Sequence, residues 1–501
     1  MNFGNVVDHG ARAAPGSRAV GDPDRAVTYG ELSAASNAAA TVFEERGVTP
    51  DDRVGICLRN GVPFLVAYLG AMKCGAVPVP INTRFTDEQV RYVLDTSDVS
   101  VLVTDEGFSS VARSVPTPLT VDGSAGADFS DELAAAATSY AVHPRRRDET
   151  AAVVYSSGTT GRPKGVRHTH GNVFANVRGI CRYHRLTRDE VGLTVSQCYH
   201  VTGLNVTTTP LLLAEAENWF LPEWDPERVA ATIERRRVTY TFLTPDMATD
   251  LLEAGVVADY DLSSLTRLVV GGAPMPADKI ADVEAALGAT VLEGYGMTET
   301  TPLAAFNRPG SERKAGSVGP PASEVVALRI EDVETGDVVD QGERGELLWR
   351  GDTVTPGFER SQHEADAFVE RDGDRWLRSG DVGYLDSDGH LFVVGRRGDM
   401  FSVGCANVFP REIEDVLYEI DGVSGAAIVD ALDGRQGAVI TAVLTSDGGV
   451  SESHVRSVCN ARLGDHKVPE RIEFVEEIPR TATGKIDRTA LRDRFRTTPL
   501  T

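Results

Sequence analysis

The segment Val154-Tyr155-Ser156-Ser157-Gly158-Thr159-Thr160-Gly161-Arg162-Pro163-Lys164-Gly165-Val166 gathers small hydroxyl residues, three glycines and two cations behind the apolar run Ala151 to Tyr155. Glycine lets a backbone turn sharply and bring its N–H groups close to a polyanion, hydroxyls add donors, and Arg162 and Lys164 add charge. The apolar run reads as a strand that delivers such a loop. The spacing differs from the common P-loop, which puts four residues between its glycines and Ser or Thr after its Lys. Here two residues separate Gly158 from Gly161, and Gly165 follows Lys164. A phosphate-holding loop of another kind is expected; the competing reading is a surface loop merely rich in Ser, Thr and Gly.

The same pattern of a strand ending in glycine recurs downstream. Leu268-Val269-Val270 runs into Gly271-Gly272, and Val291-Leu292 runs into Gly294-Tyr295. Strand ends of this kind are where open α/β sheets hold ligands. Pro274 and Pro276 suit the start of a helix after the first of these turns. Alternating strand-like and amphipathic helical stretches predict an α/β protein with a large N-terminal domain of layered sheets and helices, residues 1–395. A hinge is expected just after the strand Leu391 to Val394, at Gly395-Arg396-Arg397-Gly398-Asp399. Beyond it, residues 396–501 predict a smaller α+β domain. Its helix begins at Pro410, and its strands are Ala426 to Val429, Ala438 to Leu444 and Arg471 to Val475. The stretch Asp122 to Ala141, rich in Ala, Ser, Gly and Asp, reads as loop or edge.

Seven further motifs stand in order with the first: Thr28-Tyr29-Gly30-Glu31-Leu32, Gly75 to Asn82, Gly271-Gly272-Ala273-Pro274, Gly294 to Thr300, Ser379-Gly380-Asp381-Val382-Gly383, Gly395 to Asp399 and Pro479 to Ile486. Together they resemble the adenylate-forming superfamily, which includes acyl-CoA synthetases, adenylation domains of peptide synthetases and firefly-type luciferases. The resemblance covers nearly the whole chain. It implies activation of a carboxylic acid by ATP to an acyl-adenylate, then transfer to the thiol of coenzyme A.

By that resemblance Ser156, Ser157, Gly158, Thr159, Thr160 and Lys164 hold the β- and γ-phosphates. Thr298 and Glu299 sit by the α-phosphate, with Glu299 holding Mg²⁺. Gly272, Ala273 and Gly294 border the nucleotide, and Tyr295 stacks on adenine, against the alternative of a core tyrosine. Asp381 and Arg396 take the ribose hydroxyls; an Asp after Gly is otherwise a frequent turn cap. Lys485 is the catalytic lysine, carried by the small domain, and Asp399 is the hinge about which that domain turns. Tyr199, His200, Val201, Gly203, Leu204, Phe242, Thr244 and Gly271 match the acid pocket, His200 as a gate or as a hydrogen-bonded core residue. The stretch Tyr199 to Gly203 lacks the Asp that holds an amino group in amino-acid-activating relatives, which favours a fatty or aromatic acid. Gly404 and Cys405 fall in the loop expected to face the thiol. That loop departs from the family, with Gly404-Cys405-Ala406-Asn407 where many relatives have Gly-Gly-Glu-Asn or a Lys-Gly pair. Cys405 reads as a small residue packed in a turn rather than a nucleophile.

The totals are consistent with that reading. At 501 residues with 41% apolar content, the chain exceeds one ordinary core. The N-terminus lacks a basic-then-apolar leader and no apolar run spans a bilayer, so a cytoplasmic protein with no integral membrane segment is expected. Six scattered cysteines form no CxxC pair, so neither disulfides nor structural zinc are expected. A formal charge of −24 argues against nucleic acid or anionic membrane as partner, and leaves oligomeric state open. It also makes the cations inside the motifs more telling, because ATP needs a locally positive site. With only six lysines, the surface reads as suited to concentrated salt, or else as an ordinary acidic one. The chain ends soon after Lys485, so a free-standing acyl-CoA ligase is expected. An acyl-AMP ligase loading a separate carrier protein is the alternative. A luciferase, a kinase or ATPase releasing ADP, and a silent binding protein rank behind.

Overall fold

The computed structural model describes residues 1–501 apart from 113–114, 122–126, 157–162, 274, 361–363, 404–405, 434–436, 447, 465–466, 481–485 and 497–501. At 109, 402–403, 406–407, 432–433, 437–438 and 496 it describes the backbone alone. The chain forms two compact units. One comprises Met1–Met275, Lys279–Leu328 and Trp349–Leu377; the other Pro276–Asp278, Arg329–Leu348 and Arg378–Thr501. The α/β class, with a large N-terminal part and a smaller C-terminal one, is as expected.

The first unit contains two extended sheets. In the larger, the strands lie in the order Ala305–Phe306, Thr290–Tyr295, Arg267–Gly271, Tyr240–Leu243, Val191–Thr194, Glu217–Phe220, Arg18–Gly21, Ala26–Thr28. All but the two edge strands run parallel to their neighbours, and the edges are antiparallel. The second sheet is wholly parallel, in the order Val77–Pro80, Arg53–Cys57, Val99–Thr104, Thr117–Thr120, Ala127–Asp128. Pro78 and Pro80 lie on its edge strand, where a missing N–H donor is tolerated.

Parallel strands need crossovers, and the helix Val62–Lys73 shows what such a crossover demands of sequence. Apolar nearly all round, it is buried along almost its whole length. Its single charge, Lys73, is fully buried and bonds Asp8 at 2.7 Å and Asn37 at 2.8 Å. Helix starts are set locally. Thr28 and Glu31 form a capping box on Tyr29–Glu45, Thr86 and Gln89 one on Asp87–Thr96, and Thr169 and Asn172 one on His170–Tyr183. The early motif Thr28 to Leu32 therefore contains a helix cap.

One expectation is corrected in part. The stretch from Asp122 to Ala141 supplies the edge strand Ala127–Asp128, as expected, but it also contains the helix Phe129–Ala135, capped by Asp128, whose side chain accepts from Ser130 and Asp131 N–H. Phe129 is buried and stacks on Phe43 at 5.9 Å. A composition rich in Ala and Asp concealed this one aromatic anchor.

In the second unit, Val423–Asp433 pairs antiparallel with Gly437–Ser446, which runs parallel to Arg471–Phe474. Strand alternation assigns the two faces. Ala426, Ile428, Ile440, Ala442 and Leu444 pack with the helices Pro410–Tyr418 and Glu452–Arg462. Ala427, Val429, Val439 and Val443 pack with Leu491 and Phe495 of Arg488–Arg496. Among the described residues no helix is long and apolar enough to cross a membrane.

Candidate active site

The decisive segment is a hairpin. Thr150–Ser156 pairs antiparallel with Lys164–Thr169, with Ser156 opposite Lys164 at its foot. The apolar run therefore is the strand expected, and Ser156 and Lys164 are both half-buried. Ser157, Gly158, Thr159 and Thr160 lie outside the described residues. The Lys164 strand is gripped on its other side too. Glu359 N–H donates to Gly165 O at 2.8 Å, Arg167 N–H to Gly357 O at 3.0 Å, and Thr355 Oγ1 to Arg167 O at 2.6 Å.

Three parallel strands end side by side. Leu243 pairs with Val270, and Gly271 with Gly294. Gly272 holds φ at +83°, the left-handed region, so the chain leaves this strand by a turn that favours glycine. Tyr295 is half-buried, its ring 5.9 Å from that of the fully buried Trp349 at 31°. The following 3₁₀ turn, Thr298–Thr300, is fixed through its backbone. His168 Nε2 lies 2.7 Å from Thr298 O, and Thr355 N–H donates to Glu299 O at 2.8 Å. Thr298 and Glu299 are themselves half-buried. Among the described residues no group of three or more His, Cys, Asp or Glu is arranged to hold a metal.

His168 is fully buried, and desolvation pushes its pKa down to about 4 against the carbonyl bond that favours charge. The ring is thus neutral at pH 7, with Nε2–H donating to Thr298 O. Two more buried histidines behave alike. His170 is pushed to about 3 by burial and by Arg145 and the N-terminal amine, and His184 to about 3 by burial and Arg267. Each ordinary value is near 6.5, so between that pH and the folded values the unfolded chain binds more protons. Stability is then full above pH 6.5 and falls as pH drops, by up to about 1.4 kcal/mol per pH unit for each histidine. Urea unfolding at pH 7.5, 6 and 5 is expected to show this loss. A midpoint unchanged between pH 7.5 and 5 would refute it.

The acid-pocket candidates lie on adjoining elements. Tyr199 and Val201 are buried, His200 is half-buried with its ring 4.8 Å from that of Tyr199, and the chain enters a π-helix at Thr202–Thr208. Such helices are rare and cluster at functional sites. Tyr240 Oη donates to Val206 O at 3.1 Å, tying the π-helix to the strand that carries Phe242. A Cβ added to Gly271 would stand 3.5 Å from buried Phe242. Burial raises the Tyr199 phenol above its ordinary pKa, against Arg84 and a bond to Thr83.

In the second unit Asp381 pairs across the ladder with Arg396, and Arg396 Nε donates to Asp381 Oδ1 at 3.1 Å. The two expected ribose contacts are thus brought together, Asp381 buried and Arg396 partly exposed. Buried Glu346 braces both flanks. It takes Arg378 Nη2 at 2.5 Å and Arg397 Nη1 at 2.9 Å, while Arg397 N–H donates to Gly380 O at 2.8 Å. Asp399 is tethered to the C-terminal helix, its carboxylate 3.8 Å from Arg488 Nε and its carbonyl 3.5 Å from Arg492 Nη2. Arg488 in turn makes a bidentate pair with Glu414 at 2.6 and 2.9 Å. Gly404, Cys405 and Lys485 lie outside the described residues.

Sequence reasoning missed His168, Thr355, Asn172, Asn176 and Glu346. Asn172 bonds the carbonyls of Asp352 and Val354, and buried Asn176 bonds Asn205 O and Leu303 N–H. Only Asn172 carried a local signal, the Thr-x-x-Asn spacing of a cap. The others act through contacts far apart in sequence.

The model of the AMP-binding enzyme family matches residues 7–358, and that of the AMP-binding enzyme C-terminal domain matches 412–485. A feruloyl-CoA synthase of Amycolatopsis sp is 34% identical over 97% of each chain. A long-chain-fatty-acid–CoA ligase of Mycobacterium tuberculosis is 32% identical over 99% of each. ATP-bound MatB of Rhodopseudomonas palustris superposes with a TM-score of 0.91 at 29% identity, over 99% of both chains. With that coverage, and with strand ends, hairpin and Asp381–Arg396 pair laid out as above, the chain belongs to the AMP-binding enzyme family, among the acyl-CoA ligases of the adenylate-forming superfamily.

Proposed function

We propose that the protein activates an apolar carboxylic acid, fatty or aromatic, as its acyl-adenylate and passes the acyl group to coenzyme A, releasing AMP and pyrophosphate. The observation that carries the substrate class is the buried, mostly apolar set Tyr199, Val201 and Phe242, with no carboxylate in the stretch Tyr199 to Gly203. Feruloyl and long-chain fatty acyl relatives bracket the same chemistry.

The first step brings two anions together, since an acid oxygen must attack the α-phosphorus in line and expel pyrophosphate. The protein's work is charge neutralisation and positioning rather than proton removal. Lys164 and the hydroxyls of Ser156 to Thr160 take the β- and γ-phosphates. Thr298 and Glu299, their carbonyls fixed by His168 and Thr355, face the α-phosphate. Glu299 would hold a Mg²⁺ ion together with the substrate phosphates, and the ion would supply charge neutralisation there. Asp381 accepts the ribose hydroxyls with Arg396 beside it, and Tyr295 stacks on adenine. Lys485 donates to the acid's carboxylate and the α-phosphate. Residues 396–501 then turn about Asp399, which opens the acyl carbon to the thiol along the loop of Gly404 and Cys405. ATP and coenzyme A are intracellular substrates, so the protein works in the cytoplasm.

The test is incubation with ATP, Mg²⁺, coenzyme A and benzoate, ferulate, octanoate or palmitate, with AMP, ADP and acyl-CoA resolved. Acid-dependent AMP with matching acyl-CoA is expected. Pyrophosphate exchange without thioester would move the acceptor to a carrier protein, a reading that the unusual Gly404 to Asn407 loop keeps in view. ADP alone would overturn the assignment.

We also propose that the charge of −24, carried with only six lysines, suits concentrated intracellular salt, where screening relieves self-repulsion. Activity and melting temperature are expected to rise with KCl toward molar concentration. A steady fall of both from dilute buffer upward would exclude this adaptation.

A further inference from the structure

Asn60 follows the strand Arg53–Cys57 of the five-stranded sheet and precedes the helix Val62–Lys73. It is 5% exposed, and its amide reaches the larger sheet. Nδ2 lies 3.0 Å from Ser196 O, 3.3 Å from Leu221 O and 3.4 Å from Val195 O, and Oδ1 accepts from Cys198 N–H at 2.7 Å. One side chain thus bonds the segments that leave two adjacent parallel strands, Val191–Thr194 and Glu217–Phe220.

The same loop is confined from another direction. A Cβ on Gly203 would fall 2.1 Å from Ser196 O and 2.6 Å from Gln197 O, so only glycine lets the π-helix backbone close on it. His200 N–H then donates to Gln197 O at 3.0 Å. Ser196, Gln197 and Cys198 are therefore held between the Asn60 amide and the Gly203 backbone, and the next three residues are Tyr199, His200 and Val201.

We infer that Asn60 is a positioning residue for the acid pocket: without touching the acid, it fixes the backbone from which Tyr199, His200 and Val201 project. The inference rests on the reading of those residues as the pocket. The amide is suited to this because it donates to carbonyls from one end and accepts an N–H at the other. Asp offers no donor when ionised and sets a negative charge against three carbonyl oxygens. Ala leaves the Cys198 N–H and those carbonyls unpaired in a buried place.

The test compares Asn60→Asp with the wild type, using whichever of benzoate, ferulate, octanoate and palmitate turns over fastest in pyrophosphate exchange. KM for the acid is expected to rise about tenfold or more while KM for ATP stays within about twofold, because the nucleotide strands are not on this loop. Hydrogen exchange in 195–201 should be faster in the variant than in the wild type and unchanged in the strand Thr290–Tyr295. Phe242→Ala serves as the pocket control. If Phe242→Ala raises the acid's KM but Asn60→Asp leaves it unchanged, or raises both KM values together, the positioning role is overturned while the pocket stands. If Phe242→Ala leaves the acid's KM unchanged, the pocket reading falls and the inference with it. Asn60→Ser, which replaces the amide with a single hydroxyl, is the second variant where Asn60→Asp does not fold. Failure of both to fold would overturn the inference in favour of a role in the whole fold.

Discussion

Replacing Lys485 with alanine lowers acid-dependent ATP–pyrophosphate exchange by about 10² to 10³, the scale for removing one preorganised donor of charge. Thioester formation from supplied acyl-adenylate continues at near the wild-type rate. The asymmetry follows from the chemistry. Adenylation forces a carboxylate against a triphosphate, and in the proposed role the ammonium offsets both; attack of a thiol on an adenylate already formed has no such meeting of anions. The surroundings argue that the variant folds. Arg480 bridges Ile486, Asp487 N–H donates to Pro479 O at 2.8 Å, and Arg488 is fastened to buried Glu414, so residues on either side of Lys485 are held by contacts that the substitution leaves in place. Arginine is not expected to rescue, since a planar fork does not replace a compact ammonium. Equal loss of both half-reactions in Lys485→Ala would remove the assigned role.

Those fasteners also mark where sequence legibility ends. The strand Thr150–Ser156 and the loop after it were readable because an apolar run met a burst of Gly, Ser and Thr, a contrast visible in one short window; the return strand Lys164–Thr169 that makes it a hairpin was not. The glycine-terminated strands Arg267–Gly271 and Thr290–Tyr295 were readable for the same reason. The second unit's alternation survived in Ala426 to Val429 and Ala438 to Leu444, each strand extending a few residues past the apolar core into polar ends. The parts that hold these pieces in place were not readable. His168 sits in the strand next to an N-cap with nothing to mark it as the partner of Thr298, which is 130 residues away. Glu346 looks like any acid in a strand until Arg378 and Arg397 meet on it. Phe129 lay in a stretch whose average composition pointed to loop. A local window records propensity and chemistry, whereas these residues act by contact across the fold, and one sequence carries no trace of such pairs.

Gly296→Ala is expected to abolish most adenylation while leaving a folded protein, and its effect should far exceed that of Gly272→Ala. At Gly296 an added Cβ would stand 1.5 Å from Pro302 O and 2.7 Å from its carbonyl carbon, backbone atoms that no rotamer change can clear. Pro302 O also accepts from Thr300 Oγ1 at 2.9 Å, and Thr300 Oγ1 takes the Met297 N–H at 3.0 Å, so displacing that carbonyl loosens the Thr298–Thr300 turn itself. The next residue, Leu303, is held by Asn176 and Thr353, so the strain cannot be passed down the chain. The turn must give way, and a shift near 1 Å at reacting groups lowers rates by about 10². At Gly272 the space is open and only the left-handed φ of +83° opposes a side chain, a strain of about 1–2 kcal/mol. Pyrophosphate exchange by the two variants, with circular dichroism to confirm folding, decides the matter. Wild-type exchange in Gly296→Ala would show that the Thr298–Glu299 turn need not be rigid for the acid to attack phosphorus.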